Sequence, residues 1–266
     1  MDEITKLTLK SLMNTRDLGG LKTEGGKRIK QGILFRSGTL YKLPKNTVKS
    51  LESLNISTVI DLRTDGERAE KPDVSLSGCK YIYCPLICTA TPGITYEEKI
   101  RKTMAKEGRI LAEKYGTSDN YMIEMYKHMV TDENSVSALG LFFRTLLETN
   151  GNVLFHCNSG KDRVGVCAML LESILGVGKE TVLTDYIASR AFCRMKFFWY
   201  KVGLIIAPIT FKFKKFLFCM MRTKKIYVTE TMKYLEERYG SVLDFCKAKL
   251  GLNDGDFSTL KNKYLE

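Results

Sequence analysis

Apolar residues in this chain follow two rhythms: short unbroken runs, and longer stretches spaced by three and four residues. The short runs predict strands at 57–62 (STVIDL), at 81–86 (YIYCPL, halted by its proline) and at 153–155 (VLF). Between residues 14 and 38, Gly19-Gly20, Gly25-Gly26 and Gly32 separate short β-prone runs, a pattern of hairpin turns. The longer spacing predicts a helix that opens on Pro44 and presents Val48, Leu51 and Leu54. Further helices are expected at 96–115, 120–130, 136–147, 164–175, 179–190, 228–239, 242–250 and 256–265. The 164–175 helix is apolar nearly all round and should be buried, with Gly176 and Gly178 ending it. Asp61 and Arg63 close the 57–62 strand, at the end where an open α/β sheet places its ligand crevice. No internal repeat appears, so residues 1–266 read as one domain carrying an insertion at 191–226.

Charge sharpens this picture. A 266-residue chain with 44% hydrophobic and 27% charged residues is ordinary for a globular protein, but a net charge of +12 is not. It points to anionic partners: phosphorylated substrates, nucleic acid or an acidic membrane surface. Much of the excess sits in one place, since residues 186–229 hold no Asp or Glu and ten Lys and Arg, interleaved with Phe and Trp199. The apolar run 202–211 inside it is interrupted by Pro208 and is far short of the ~20 residues that span a bilayer. The 191–226 insertion therefore reads as a lid over the active site, an element lying on an anionic membrane, or a helical pair with a solvated basic rim. No nucleic-acid-binding motif accompanies the charge, so nucleic acid is not an expected partner.

The eight cysteines show no metal-ligand spacing and only His128 and His156 accompany them, so neither a metal nor a cofactor is expected. Their scatter suits a reducing compartment, and MDEITKLTLK at the start lacks the apolar core of a signal peptide. The expected location is cytoplasmic, with unconventional export as the alternative.

One stretch gathers chemistry: His156-Cys157-Asn158-Ser159-Gly160-Lys161-Asp162-Arg163-Val164. A buried strand ends in a thiol, a loop with one glycine follows, and an arginine opens an apolar helix. Successive backbone N–H groups in such a loop hold a tetrahedral oxyanion, and the field of a helix N-terminus favours the thiolate. Arg163 is placed to grip phosphate oxygens. An inert core cysteine would be an odd neighbour for Lys161, Asp162 and Arg163. Arg16, Asp17 and Arg36 read as a structural ion-pair set near this site, or as surface residues.

The spacing from Cys157 to Arg163 resembles the phosphate loop of cysteine-dependent protein tyrosine phosphatases, and HCNSGKDR resembles the HCxxGKDR form of a bacterial and fungal family of atypical tyrosine and phosphoinositide phosphatases. NTRDLGG, ILFRSGTL, TVIDLRTDGE and YLEERYGSVLDF are similar to other ordered motifs of that family. A cysteine and arginine at this spacing are weakly specific alone; the ordered set is strong. The resemblance implies an α/β protein-tyrosine-phosphatase-like fold, a central mostly parallel sheet flanked by helices, with the basic, aromatic helical insertion added. It implies Cys157 as nucleophile and Arg163 as transition-state clamp. Asn158, Ser159, Gly160, Lys161 and Val164 would bind substrate, with His156, Asp61 and Arg36 in support. The loop after Pro85, where many relatives carry a general acid, has no Asp. Asp119 and Asp132 are distant; Asp162, inside the phosphate loop, is the first choice of acid and Asp61 the alternative. Lys161 would add positive charge at the pocket wall, suiting an inositide head group as well as phosphotyrosine. Val164 departs from the family's Thr or Ser, whose hydroxyl eases release of phosphate from the cysteine, and implies slower turnover. The expected function is a dual-specificity protein tyrosine phosphatase with phosphoinositide activity, in peripheral contact with anionic membrane. The alternative is a pseudophosphatase that binds phosphoproteins or phosphoinositides.

Overall fold

The computed structural model describes residues 12–87, 91, 94–95, 109–192, 202, 205, 214, 216, 218 and 221–266. Five strands form one sheet in the order β1-β2-β5-β3-β4, namely β1 (Arg16–Asp17), β2 (Leu34–Ser37), β3 (Ile56–Asp61), β4 (Lys80–Tyr83) and β5 (Asn152–His156). β1 runs antiparallel to β2, as the turn-rich sequence between them requires, and every other pairing is parallel. The expected fold is therefore the observed one: a mostly parallel sheet flanked by helices. Register aligns Ser37, His156, Asp61 and Tyr83 across four strands, so the polar strand ends form one row.

Alternation along the strands sorts their side chains into two cores. Phe35, Val59 and Leu154 pack with Leu12, Leu40, Leu51 and Leu76, on the side of helix α1 (Lys45–Glu52). Leu34, Ile60, Val153 and Phe155 face a larger core. The helices are α2 (Asp65–Glu70), α3 (Ser118–Thr131), α4 (Glu133–Glu148), α5 (Asp162–Leu175), α6 (Lys179–Phe192), α7 (Lys225–Tyr239), α8 (Val242–Leu250) and α9 (Asp254–Tyr264). Only Ser173 of α5 is not buried, and α5 packs on α3, α6, α7, α8 and α9. The apolar-all-round sequence thus does become the central helix. Gly176, at φ 85°, ends it.

The differences from the sequence reading are local. Pro44 is the N-cap of α1 rather than its first residue, and Leu54 lies beyond the helix end. The strand expected at 81–86 stops at Tyr83: Cys84 still donates its N–H to the Asp61 carbonyl (2.8 Å), and Pro85, which has no N–H, follows it. Helix α5 begins at Asp162, two residues earlier than expected, so Asp162 and Arg163 belong to its first turn and not to the loop. Residues 109–115 are helical, but most of the loop at 88–96, residues 96–108 and most of the insertion at 191–226 lie outside the described residues. Among those described, no helix is long and apolar enough to cross a membrane.

Candidate active site

β5 delivers Cys157 to the mouth of a turn whose carbonyls are all engaged from outside. The Asn158 carbonyl accepts from Thr39 N–H (3.2 Å), and the Asn14 amide donates to the carbonyls of Ser159 (3.2 Å) and Gly160 (2.6 Å). Arg36 adds a second donor to Gly160 (3.0 Å), and the His156 ring lies 3.3 Å from the Cys157 carbonyl. In a trans peptide the N–H points opposite to its C=O. Fixing four successive carbonyls outward therefore turns the N–H groups of residues 158–161 into the loop, toward the N-terminus of α5. Gly160 is needed for this turn: its φ is +65°, and a Cβ there would sit 2.5 Å from the Ser37 carbonyl oxygen.

Arg163 rises from the first turn of α5 and is fully buried. Its terminal nitrogens are taken by Glu67 (2.6 and 2.9 Å), the Leu62 carbonyl (3.1 Å) and the Ile94 carbonyl (3.2 Å). Burial disfavours its charge, but Glu67 and the sulfur of Cys157 outweigh that and raise its pKa further. Nε finds no partner among the described residues. A phosphate oxygen would meet Nε, and a bidentate grip would displace the Ile94 carbonyl.

Glu67 was not singled out from sequence. It is buried on α2, where it also closes a capping box with Thr64 and accepts from the Asn158 amide (3.3 Å). The sequence signal is Thr64-x-x-Glu67, which marks a helix start but says nothing of Arg163.

His156 and Asp61 sit behind the loop in a second charged group. Arg63 binds both oxygens of Asp61 (2.7 to 3.1 Å) and Oδ2 of Asp73 (2.6 Å). His156 Nε2 lies 3.2 Å from Asp73 and 3.8 Å from Asp61, a charge contact rather than an aligned hydrogen bond. Burial opposes the imidazolium, yet these carboxylates prevail and raise the histidine pKa. Asp61 moves the other way: burial is overcome by His156 and Arg63, which hold it below the usual carboxylate range. Asp61, Asp73 and His156 bring three ligand-type atoms within 4.8 Å of one another, but Arg63 already supplies the cation between the carboxylates.

The ion-pair set expected from Arg16, Asp17 and Arg36 is half right. Arg16 (2.7 Å) and Arg36 both pair with Asp185 of α6, which the sequence did not suggest. Asp17 instead accepts backbone N–H groups of Gly19 and Gly32 and joins no ion pair among those described. Asp185 is buried, but its two arginines keep its pKa low. Neighbouring Glu172 has its pKa pushed well above its ordinary value by burial and by Asp185.

Asp162 is buried, with Oδ1 accepting from the Tyr126 hydroxyl (2.6 Å) and lying 3.2 Å from Lys161 Nζ. Oδ2 has no hydrogen-bond partner among the described residues. Lys161 is also buried, with its ammonium on the carbonyls of Met221 and Arg222 (both 3.3 Å), so it fastens the return of the basic segment. Ser159 and Val164 are buried in the loop and the first turn of α5. Of the other acid candidates, Asp119 pairs with Lys224 and Tyr227, and Asp132 caps α4. Cys167 and Cys84 are core thiols, the first pushed well above its ordinary pKa and the second up to about 12, both chiefly by burial.

The comparisons with known proteins agree with this geometry. A Cupriavidus necator protein that carries the name of a tyrosine-protein phosphatase is 28% identical over 268 residues, covering 97% of this chain and 88% of that protein. A Nostoc commune tyrosine-protein phosphatase is 29% identical across 58% of this chain and 47% of its own length. The triple specificity protein phosphatase of Mycobacterium tuberculosis is 29% identical across 66% of each chain. The model of the tyrosine phosphatase family matches residues 7–266, nearly the whole sequence. By that match, the chain belongs to the tyrosine phosphatase family.

Proposed function

We propose that the protein hydrolyses phosphate monoesters through a covalent phosphocysteine, with Cys157 as nucleophile, Arg163 as transition-state clamp and Asp162 as general acid. The observation that carries this reading is the loop itself, with four carbonyls held outward around Cys157 and the Nε of Arg163 left over. The Cys157 thiolate attacks phosphorus in line with the ester oxygen, forming the S–P bond as the P–O bond breaks. Charge spread over the equatorial oxygens meets the loop N–H groups and Arg163. The leaving alkoxide takes its proton from Asp162 Oδ2, the buried oxygen without a partner. Water then attacks phosphorus, returns a proton to Asp162 and releases inorganic phosphate and the thiolate. Asp61 is the weaker choice of acid because Arg63 occupies both of its oxygens.

The substrate class is phosphotyrosine protein with phosphoinositide as a second substrate. The name of the triple-specificity relative favours a site that accepts several phosphate esters. The basic insertion at 191–226 would bring the chain to anionic membrane, in the cytoplasm. A second reading, a pseudophosphatase that binds phosphoproteins without turnover, is favoured by one residue. Val164 is buried at the position where the resemblance leads one to expect Thr or Ser.

The test is turnover of para-nitrophenyl phosphate, phosphotyrosine peptides and phosphoinositides by wild type and Cys157→Ser. Hydrolysis that vanishes in the variant supports the enzyme. Binding without hydrolysis by the wild type selects the pseudophosphatase.

A further inference from the structure

Asp162 is held by a string of hydroxyls that the acid role alone does not require. Tyr126 of α3 places its hydroxyl 2.6 Å from Asp162 Oδ1 and 2.6 Å from the hydroxyl of Tyr186 on α6. Both tyrosines are buried. Tyr126 has one hydroxyl proton, and an Oδ1 that carries no proton can only accept. Tyr126 therefore donates to Asp162, and Tyr186 must be the donor to Tyr126. Burial, with Asp162 nearby, pushes both phenols well above their ordinary pKa, so both remain donors through the neutral range.

The surrounding packing is built to keep this string. A Cβ on Gly165 would sit 3.0 Å from the Tyr186 ring, so glycine at this position of α5 leaves room for the ring to reach Tyr126. The two rings meet edge to face at 6.1 Å, and Tyr227 packs on Tyr126 at 5.5 Å. With Oδ1 fixed by Tyr126 and Lys161, the proton of Asp162 belongs on Oδ2, the oxygen without a partner among the described residues.

We propose that Tyr126, seconded by Tyr186, is a positioning residue that fixes which oxygen of Asp162 carries the catalytic proton and how readily that proton leaves. The proposal rests on the reading of Asp162 as general acid. A donor to the carboxylate favours its ionised form, so removing it should make the acid harder to ionise. Neither tyrosine hydroxyl hydrogen-bonds the loop carbonyls or Arg163 among the described residues, so substrate binding should be spared.

The experiment compares wild type, Tyr126→Phe, Tyr186→Phe, Asp162→Asn and Tyr126→Phe/Asp162→Asn on para-nitrophenyl phosphate and phenyl phosphate across pH. Tyr126→Phe keeps the ring and its packing. It is expected to leave KM unchanged and to lower kcat by roughly tenfold on phenyl phosphate, whose poor leaving group needs the proton, with little change on para-nitrophenyl phosphate. The basic limb of its kcat profile should move up by about one pH unit, the tenfold shift in ionisation that one charge-assisted hydrogen bond is worth. In the Asp162→Asn background the same substitution should change nothing. Tyr186→Phe should reproduce the pattern at smaller size, and it decides the matter if Tyr126→Phe does not fold. If Asp162→Asn is slow on phenyl phosphate while both tyrosine variants match wild type in rate and pH limb, the positioning role is wrong and the acid role stands. If Asp162→Asn matches wild type on phenyl phosphate, the acid reading fails and this proposal falls with it.

Discussion

Replacing Glu67 by glutamine tests whether Arg163 is aimed by its carboxylate partner. Both oxygens of Glu67 meet the guanidinium, at 2.6 and 2.9 Å, and both residues are fully buried. Glutamine keeps the capping-box acceptor for Thr64 but loses the charge and turns an NH2 toward the guanidinium. Two charge-assisted hydrogen bonds at about 1.5–3 kcal/mol each place the loss near the 3–5 kcal/mol typical of breaking a buried ion pair. One bond survives in part, so urea unfolding should show about 2–3 kcal/mol of destabilisation. Activity should fall further than stability suggests, because an arginine displaced by about 1 Å costs on the order of 100-fold in rate. Steady-state kinetics with para-nitrophenyl phosphate, on protein shown to be folded by near-UV circular dichroism, reads that loss in kcat/KM. A Glu67→Gln protein within about 0.5 kcal/mol of wild type and with unchanged kcat/KM would show that Leu62, Ile94 and the helix alone aim the arginine.

Two further outcomes are expected. Val164→Thr restores a hydroxyl beside the loop and should speed phosphocysteine hydrolysis by roughly tenfold, about one hydrogen bond's worth; stopped-flow should show a product burst in wild type that shrinks in the variant, and a wild type without a burst refutes the idea. Glu172 has its folded-state pKa raised, so the native state keeps a proton that the unfolded chain gives up above about pH 4.3. Its contribution to stability is whole below that pH and is lost as pH rises, by about 1.4 kcal/mol per unit until the folded value is passed. Glu172→Gln should match wild type near pH 4 and exceed it increasingly toward neutrality; urea unfolding at several pH values checks this, and a difference constant with pH overturns it.

The sequence made the loop legible because its chemistry is contiguous: a strand-end cysteine, a glycine that can turn, and an arginine opening an apolar helix. The sheet was legible for a similar reason, since each parallel strand is a short apolar run ending in a polar residue. What escaped were the partners that hold the loop in shape. Glu67 lies 96 residues from Arg163, Asn14 lies 146 from Gly160, and Asp185 lies 149 from Arg36. Nothing local distinguishes those carboxylates from surface ones. Arg16 was placed near the site on charge alone, and the same reasoning paired it with its neighbour Asp17, whose carboxylate turns instead to backbone N–H groups. The start of α5 was missed because apolar periodicity marks where a helix buries its face, not where its first charged turn begins.

The buried charges around the loop explain why such distant partners are kept. Arg16, Arg36, Arg63 and Arg163 are all fully buried, an arrangement that seldom gains stability over apolar packing. Each is matched to a carboxylate. The four arginines and His156, whose pKa is raised, face Asp61, Asp73, Asp185 and Glu67, while burial and Asp185 push the pKa of Glu172 up. Cys157 sits among these groups: its sulfur helps raise the pKa of Arg163 and works against the burial that lowers that of Arg36. An anion held in the loop would meet these arginines in a low-dielectric setting, where the attraction counts for more than it would in water. Under the proposed mechanism, the folded chain therefore keeps its buried arginines beside the loop where negative charge arrives and develops, instead of replacing them with apolar packing for stability.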